Sequence, residues 1–211
     1  MDLQLNSSEK IRHKKKLLAA RENNILKAAI ELCLSQGIEN VTVSKIADRA
    51  GIGKGTIYKH FITKNELLVR IILNYETALY EQLLISDENP KTSTSENMVR
   101  IYINARLIEP ITDNLIKKLE LYLAGAEGTS LYLEELFRIR KAISEILGRS
   151  IKQTIKNDAL DNMPESYYYL ACQTLIQSVI EVHSNDSLEY NLHIQDLLAV
   201  VAKIGKAISD K

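Results

Sequence analysis

What narrows the folding options of this chain most is Gly51, which sits between two short apolar runs that keep helical spacing. Ahead of it, Val43, Ile46, Ala47 and Ala50 recur three and four residues apart, which places them on one face of a helix. Thr42 precedes that run, where its hydroxyl can accept from a backbone N–H that the helix leaves without a partner. Gly51 is the residue type a chain prefers when it leaves a helix through the left-handed region. After Ile52-Gly53 the pattern predicts a second helix from Lys54 to Phe61, with Ile57 and Phe61, four apart, turned inward.

Inward Ile57 and Phe61 leave Thr56, Lys59 and His60 together on the other face, flanked by Tyr58, with Lys54 at the start. Those side chains offer donors, an acceptor, positive charge and a flat amphipathic ring, which is what reading base edges and gripping phosphates requires. Gly55 lacks a side chain and lets backbone approach a sugar-phosphate strand. Residues 42–61 therefore read as a helix-turn-helix whose second helix is the recognition helix. Thr42, Ser44 and Lys64 are placed to hold adjacent phosphates, Lys64 aided by the partial positive charge of a helix start.

The spaced run Thr42-Val43, Ile46-Ala47, Ala50-Gly51-Ile52, Lys54-Gly55-Thr56-Ile57-Tyr58, His60-Phe61, then Lys64 and Leu67, resembles the tetracycline-repressor (TetR) family of bacterial transcription regulators. The resemblance covers about Arg21 to Leu73. It implies an all-helical homodimer that binds palindromic operators and lets go when a small ligand enters a second domain. Two positions depart from the family pattern: Gly53 stands where a capping Ser is frequent, and Lys45 where an acidic residue is frequent. Both departures weaken helix starts without touching the reading face.

Net charge is zero, which taken alone argues against a nucleic-acid partner, but the charges are unevenly distributed. Residues 1–64 hold 12 Lys and Arg against 6 Asp and Glu, and the rest hold 15 against 21. A basic head on an acidic body implies that the head alone meets phosphate. Residues 10–16 concentrate that charge in Lys10, Arg12, Lys14, Lys15 and Lys16, beside His13. They read either as a frayed, solvated tail or as an arm adding phosphate or minor-groove contacts. Cys33 and Cys172 lie far apart in apolar patterns and read as reduced, buried thiols, with a redox switch as the alternative. The amino terminus has no charged region followed by an apolar run, and no segment approaches membrane-spanning length, so a cytoplasmic protein is expected.

Few prolines and glycines among long Leu, Ile, Glu and Lys stretches predict an all-α fold of about nine helices. The expected division is a three-helix DNA-binding domain over residues 17–64 and a larger ligand-binding and dimerisation domain over 65–211. In the first, a helix ending near Gln36, with Ile25, Ala29, Leu32 and Cys33 as its stripe, covers the two helices that follow. Thr63 and Glu66 form a capping box that opens a long helix to about Ile85, the expected mechanical link between the domains. Residues 86–95 read as a linker, and Ser93 with Glu96 as a second capping box for a helix to Ile108. Pro110 forces a break. Helices are then expected over Asp113 to Ala126, Ser130 to Lys156, Pro164 to about Ser184, and onward to about Ser209.

The last two carry apolar stripes, Leu175, Ile176, Val179 and Ile180 on one and Ile194, Leu197, Val201, Ile204 and Ile208 on the other. Paired with the same helices of a second subunit they would build a four-helix bundle; the other reading is ordinary core. Tyr75, Tyr102, Tyr122, Tyr132, Phe137 and Tyr167 to Tyr169, of which Tyr168 is representative, suit either a cavity for an amphipathic ligand or core packing. Arg106, Arg138 and Arg140 would meet an anionic ligand or stand as surface charges.

There is no P-loop, dinucleotide fingerprint or serine elbow, and the four histidines lack metal-ligand spacing, so neither enzyme activity, metal nor cofactor is expected. The expected function is a ligand-responsive transcriptional repressor. Its competitors are an activator or ligand-independent regulator with the same head, and a small-molecule-binding protein without DNA function.

Overall fold

The computed structural model describes residues 7–107, 110–127 and 129–154, together with Leu170, Gln173, Thr174 and Gln177. Every regular element among them is helical: α1 (Ser7–Gln36), a 3-10 turn (Ile38–Asn40), α2 (Val43–Ala50), α3 (Lys54–Ile57), α4 (Lys64–Asp87), α5 (Ser95–Leu107), α6 (Pro110–Leu123) and α7 (Ser130–Thr154). The all-α expectation holds. Apart from the helical Leu170, Gln173, Thr174 and Gln177, the two helices expected beyond residue 164, and with them Tyr168, Cys172, Ile176, Val179, Ile180, Leu197, Val201, Ile204 and Ile208, lie outside the described residues.

The described residues form two compact units. One gathers the chain up to Ile72 together with Lys118–Tyr132; the other takes Leu73–Lys117 and resumes at Leu133. In the first unit α1 packs on α2, and α2 on α3. Its interior is made by Ile25, Ala29, Ile46, Ala47, Ile57, Phe61, Leu67 and Leu68, each no more than 2% exposed. Cys33 is buried in it as a free thiol, and burial raises its pKa against the opposing pull of Lys64, so it remains a protonated apolar residue. The second unit has a core of Leu79 and Leu83 from α4, Met98, Val99, Tyr102 and Ile103 from α5, and Ile143, Ile146 and Leu147 from α7.

Several boundaries differ from expectation, each for a local reason. The basic segment, read as either a tail or an arm, is helical, so α1 starts at Ser7 rather than near residue 17. No Gly or Pro interrupts residues 7–36, and propagating a helix that is already nucleated costs little. Helix α3 stops at Ile57 rather than Phe61. Its cap position is Gly53, with no side-chain hydrogen bond, and Gly55 lies inside it, so little favours a longer helix. Helix α6 starts at Pro110 rather than Asp113, a position where the missing N–H of proline is not needed. The second cap is one residue off: Thr94 Oγ1, not Ser93, accepts from Asn97 N–H at 3.3 Å, while Ser93 bonds Asp87.

Candidate nucleic-acid interface

The turn that aims α3 is built from both ends. Thr42, in extended conformation, caps α2 through Oγ1, which accepts from Lys45 N–H at 3.3 Å. At the other end Gly51 adopts φ 67°, its N–H reaches Asp48 O at 3.2 Å, and Ile52 N–H reaches Ala47 O at 3.0 Å. These two bonds are the Schellman pattern, which pairs carbonyls that a helix end leaves open. A Cβ on Gly51 would meet nothing within 4 Å, so the requirement for glycine is conformational rather than steric. Gly51→Ala is therefore expected to cost about 1–2 kcal/mol, and Gly51→Asn less. Urea unfolding of the two variants checks this.

From Gly53 the chain turns through α3 and continues in tight turns: Lys59 N–H to Thr56 O at 3.2 Å, His60 N–H to Ile57 O at 2.8 Å and Phe61 N–H to Ile57 O at 2.9 Å. Ile57 and Phe61 are 1% and 2% exposed, so the segment is pinned at both apolar positions. Between and before them Lys54, Gly55, Tyr58 and Lys59 are exposed, and Thr56 and His60 are half-buried. Lys54 Nζ stands 5.9 Å from the Tyr58 ring centre, and the His60 and Phe61 rings are 6.3 Å apart. Thr42 and Ser44 are exposed as well.

Not every cation of the module is offered to solvent. Lys45 Nζ donates to Gln36 Oε1 at 2.9 Å and to Asn40 O at 2.8 Å, which ties the start of α2 to the end of α1. Arg49 pairs with Glu31. Lys64 donates to Ile38 O at 2.8 Å and to Tyr122 Oη at 3.3 Å, with its ammonium 5.0 Å from the Tyr122 ring centre. The side chain expected on phosphate is thus engaged within the module, and Tyr122, expected in a pocket, is its partner. Lys54 and Lys59 are the exposed cations of residues 42–61 that are not tied up in this way.

The opening of α4 shows a shifted capping box. Thr63 Oγ1 accepts from Glu66 N–H at 3.0 Å as expected, but the Glu66 carboxylate reaches back to Ile62 N–H, at 2.6 Å, rather than to Thr63. Its second oxygen accepts from Tyr132 Oη at 2.5 Å, a bond that raises the Tyr132 pKa, and Arg70 lies 5.6 Å from the Tyr132 ring centre. One carboxylate joins the start of α4 to the start of α7 within the first unit.

The second unit holds a buried charge cluster that sequence reasoning missed in part. Glu76, 1% exposed, accepts from Arg106 at 2.8 Å and from Arg140 at 2.8 and 3.1 Å. Asp113, 3% exposed, accepts from Tyr75 Oη at 3.0 Å and from Arg106 at 3.4 Å, with Lys117 at 3.5 Å. The Arg106 guanidinium lies 5.0 Å from the Tyr75 ring centre and 5.3 Å from that of Tyr102. Burial works against a charged Arg106, but Glu76 and its aromatic neighbours outweigh it and raise its pKa. Burial also raises the Tyr75 pKa.

Of the residues expected to line a pocket, Tyr75 and Tyr102 meet at Arg106. Tyr122 belongs to the first unit, and Phe137 is 69% exposed. Glu76 carried a legible signal: it interrupts the apolar spacing Ile72, Leu79, Tyr80 and Leu83 on α4. No group of three potential metal ligands, and no helix long and apolar enough to cross a membrane, occurs among the described residues.

Residues 25–71 match the family model for bacterial regulatory proteins of the tetR family. The chain carries a TetR-family DNA-binding domain. That domain is 35% identical over 74 residues to the transcriptional repressor KstR2 of Mycobacterium tuberculosis, 34% of this chain and 37% of KstR2. It is 34% identical over 68 residues to the regulator YvdT of Bacillus subtilis, 32% of this chain and 35% of YvdT. The chain thus matches little more than a third of the length of these curated relatives. Beyond the TetR-family domain the likeness is one of fold. A tetR-family regulatory protein from Rhodococcus RHA1 superposes with a TM-score of 0.64 at 16% identity, over 90% of this chain and 95% of that one. FadR from Bacillus subtilis, solved with stearoyl-CoA, superposes with a TM-score of 0.59 at 17% identity, over 87% and 95%.

Proposed function

We propose that this protein is a ligand-responsive transcriptional repressor of the cytoplasm that binds a palindromic operator as a homodimer and is released by a small-molecule effector. The observation that carries this reading is the exposed set Lys54, Tyr58 and Lys59 on a segment anchored by buried Ile57 and Phe61. Each protomer lays that face in a major groove, with Thr42 and Ser44 at the flanking phosphates and half-sites roughly 34–36 Å apart. Residues 65–211 serve as the ligand-binding and dimerisation domain, with Ile176, Val179, Ile180, Leu197, Val201, Ile204 and Ile208 at the subunit interface. The stearoyl-CoA bound by FadR, a regulator of the same fold, supports a small-molecule effector. Reversing occupancy from 99:1 to 1:99 requires an effector preference of about 5.5 kcal/mol between the two states.

Anisotropy titration of the duplex upstream of its own gene tests the reading. Tyr58→Ala is expected to weaken specific binding by about 1–3 kcal/mol. Lys59→Ala should lower the salt dependence, the slope of log K against log salt, by about 1. Both variants should sediment as wild type does. Wild-type affinity in both variants would refute the placement of the reading face.

A further inference from the structure

The first three turns of α1 stand apart from every other described segment. Each residue from 9 to 21 is exposed, and burial begins in earnest only at Ile25 and Leu26. This stretch carries Lys10, Arg12, Lys14, Lys15, Lys16 and Arg21 against the single acid Glu9. At 1.5 Å per residue it is about 18 Å of helix without a core to pack on. Lys10 with Lys14 and Arg12 with Lys16 are like charges four apart, which repel on a helix surface. An element with this composition gains stability from an anion lying along it, which relieves that repulsion.

Its root fixes which anion. Asn24, one turn beyond the basic stretch, donates Nδ2–H to the carbonyl of Ala50 at 3.2 Å. Ala50 is the last residue of α2, immediately before the Gly51 turn that aims α3. The basic helix therefore leaves the module beside the turn that feeds the reading segment. We infer that residues 10–21 are a second DNA-contacting element, a helical arm that lies along the phosphates next to the groove read by Lys54–His60. This rests on the DNA-binding reading above and adds to it a contact that depends on charge and not on base sequence.

A lipid surface fits the arm less well. Ile11 and Leu18 fall in line with Ile25 at seven-residue steps, which gives only a narrow apolar strip. Leu17 lies off that strip between Lys10 and His13, and cations occupy most of the remaining circumference, whereas a membrane-surface helix needs a wide apolar face.

The test uses the full chain and a fluorescein-labelled duplex of random sequence, titrated from about 50 to 300 mM NaCl. The triple variant Lys14→Gln, Lys15→Gln, Lys16→Gln changes only exposed side chains. Its salt slope should fall by about 0.9 for each phosphate it no longer neutralises, so by roughly 2–3, while Tyr58→Ala keeps the wild-type slope on the same duplex. An unchanged slope in the triple variant overturns the arm while leaving the recognition segment standing. Wild-type protein that ignores every duplex at low salt overturns both. Charge-dependent binding to phosphatidylserine vesicles together with an unchanged DNA slope would assign the arm to lipid instead, and would likewise overturn the proposal.

Discussion

Glu76→Ala is expected to destabilise the protein by about 3–5 kcal/mol, the usual cost of removing one partner from a buried ion pair. The mutation leaves the buried Arg106 with Asp113 alone, and deprives Arg140 of the carboxylate it holds at 2.8 Å. The same cluster sets an acid limit. Burial by itself would raise the Glu76 pKa, but Arg106 and Arg140 outweigh it and hold the group below its ordinary 4.5. A carboxylate with a depressed folded-state pKa stabilises the fold fully above its unfolded value and loses that contribution as pH falls through the folded one. Wild type should therefore lose stability as pH drops below about 4.5, and Glu76→Ala should lack that component. Denaturant melts of both proteins at pH 7 and through the acid range measure each effect. Equal midpoints at pH 7 would contradict the cluster's role.

Phe61→Ala should be as costly, about 3–5 kcal/mol, and should act on the other unit. Phe61 is 2% exposed where the tight turns after α3 meet the approach to α4, so its loss opens a cavity at the end of the reading segment. Operator binding is expected to vanish with it, because Tyr58, Lys59 and His60 are held between Ile57 and Phe61. Hydrogen exchange locates the damage: amides of residues 43–61 should lose protection while those around Tyr102 and Leu147 keep theirs. Phe61→Leu, which retains most of the volume, should cost under about 1.5 kcal/mol and preserve binding. Uniform loss of protection across both units would contradict this assignment of Phe61 to the first unit.

How much of this was legible in sequence depends on the reach of each interaction. The cap at Thr42, the left-handed Gly51 and the inward Ile57 and Phe61 are local consequences of residue type and spacing, and each was recoverable from a window of about twenty residues. So was the Thr63 cap, although the reciprocal bond fell on Ile62 N–H, because a flexible Glu side chain chooses among neighbouring donors only in three dimensions. The end of α3 was misplaced because periodicity locates a face and says little about where a marginal helix gives way to tighter turns. The partners of Lys64 and Glu76 could not be read at all. Tyr122 lies 58 residues from Lys64, and Arg106 and Arg140 lie 30 and 64 residues from Glu76. A single sequence does reveal that Glu76 and Arg106 interrupt apolar stripes; it does not reveal that they answer one another.

The ionic knot in the second unit also restricts how this sequence can change over generations. Replacing Glu76, Arg106 and Asp113 together by well-fitted aliphatic residues would be tolerated or even favourable, since such swaps of buried ion pairs often are. Lineages accumulate substitutions one at a time, however, and the intermediates on that route leave a buried charge with fewer partners than it has now. The three positions should therefore be inherited as a block, and in related chains of this fold they should be found either all ionic or all aliphatic.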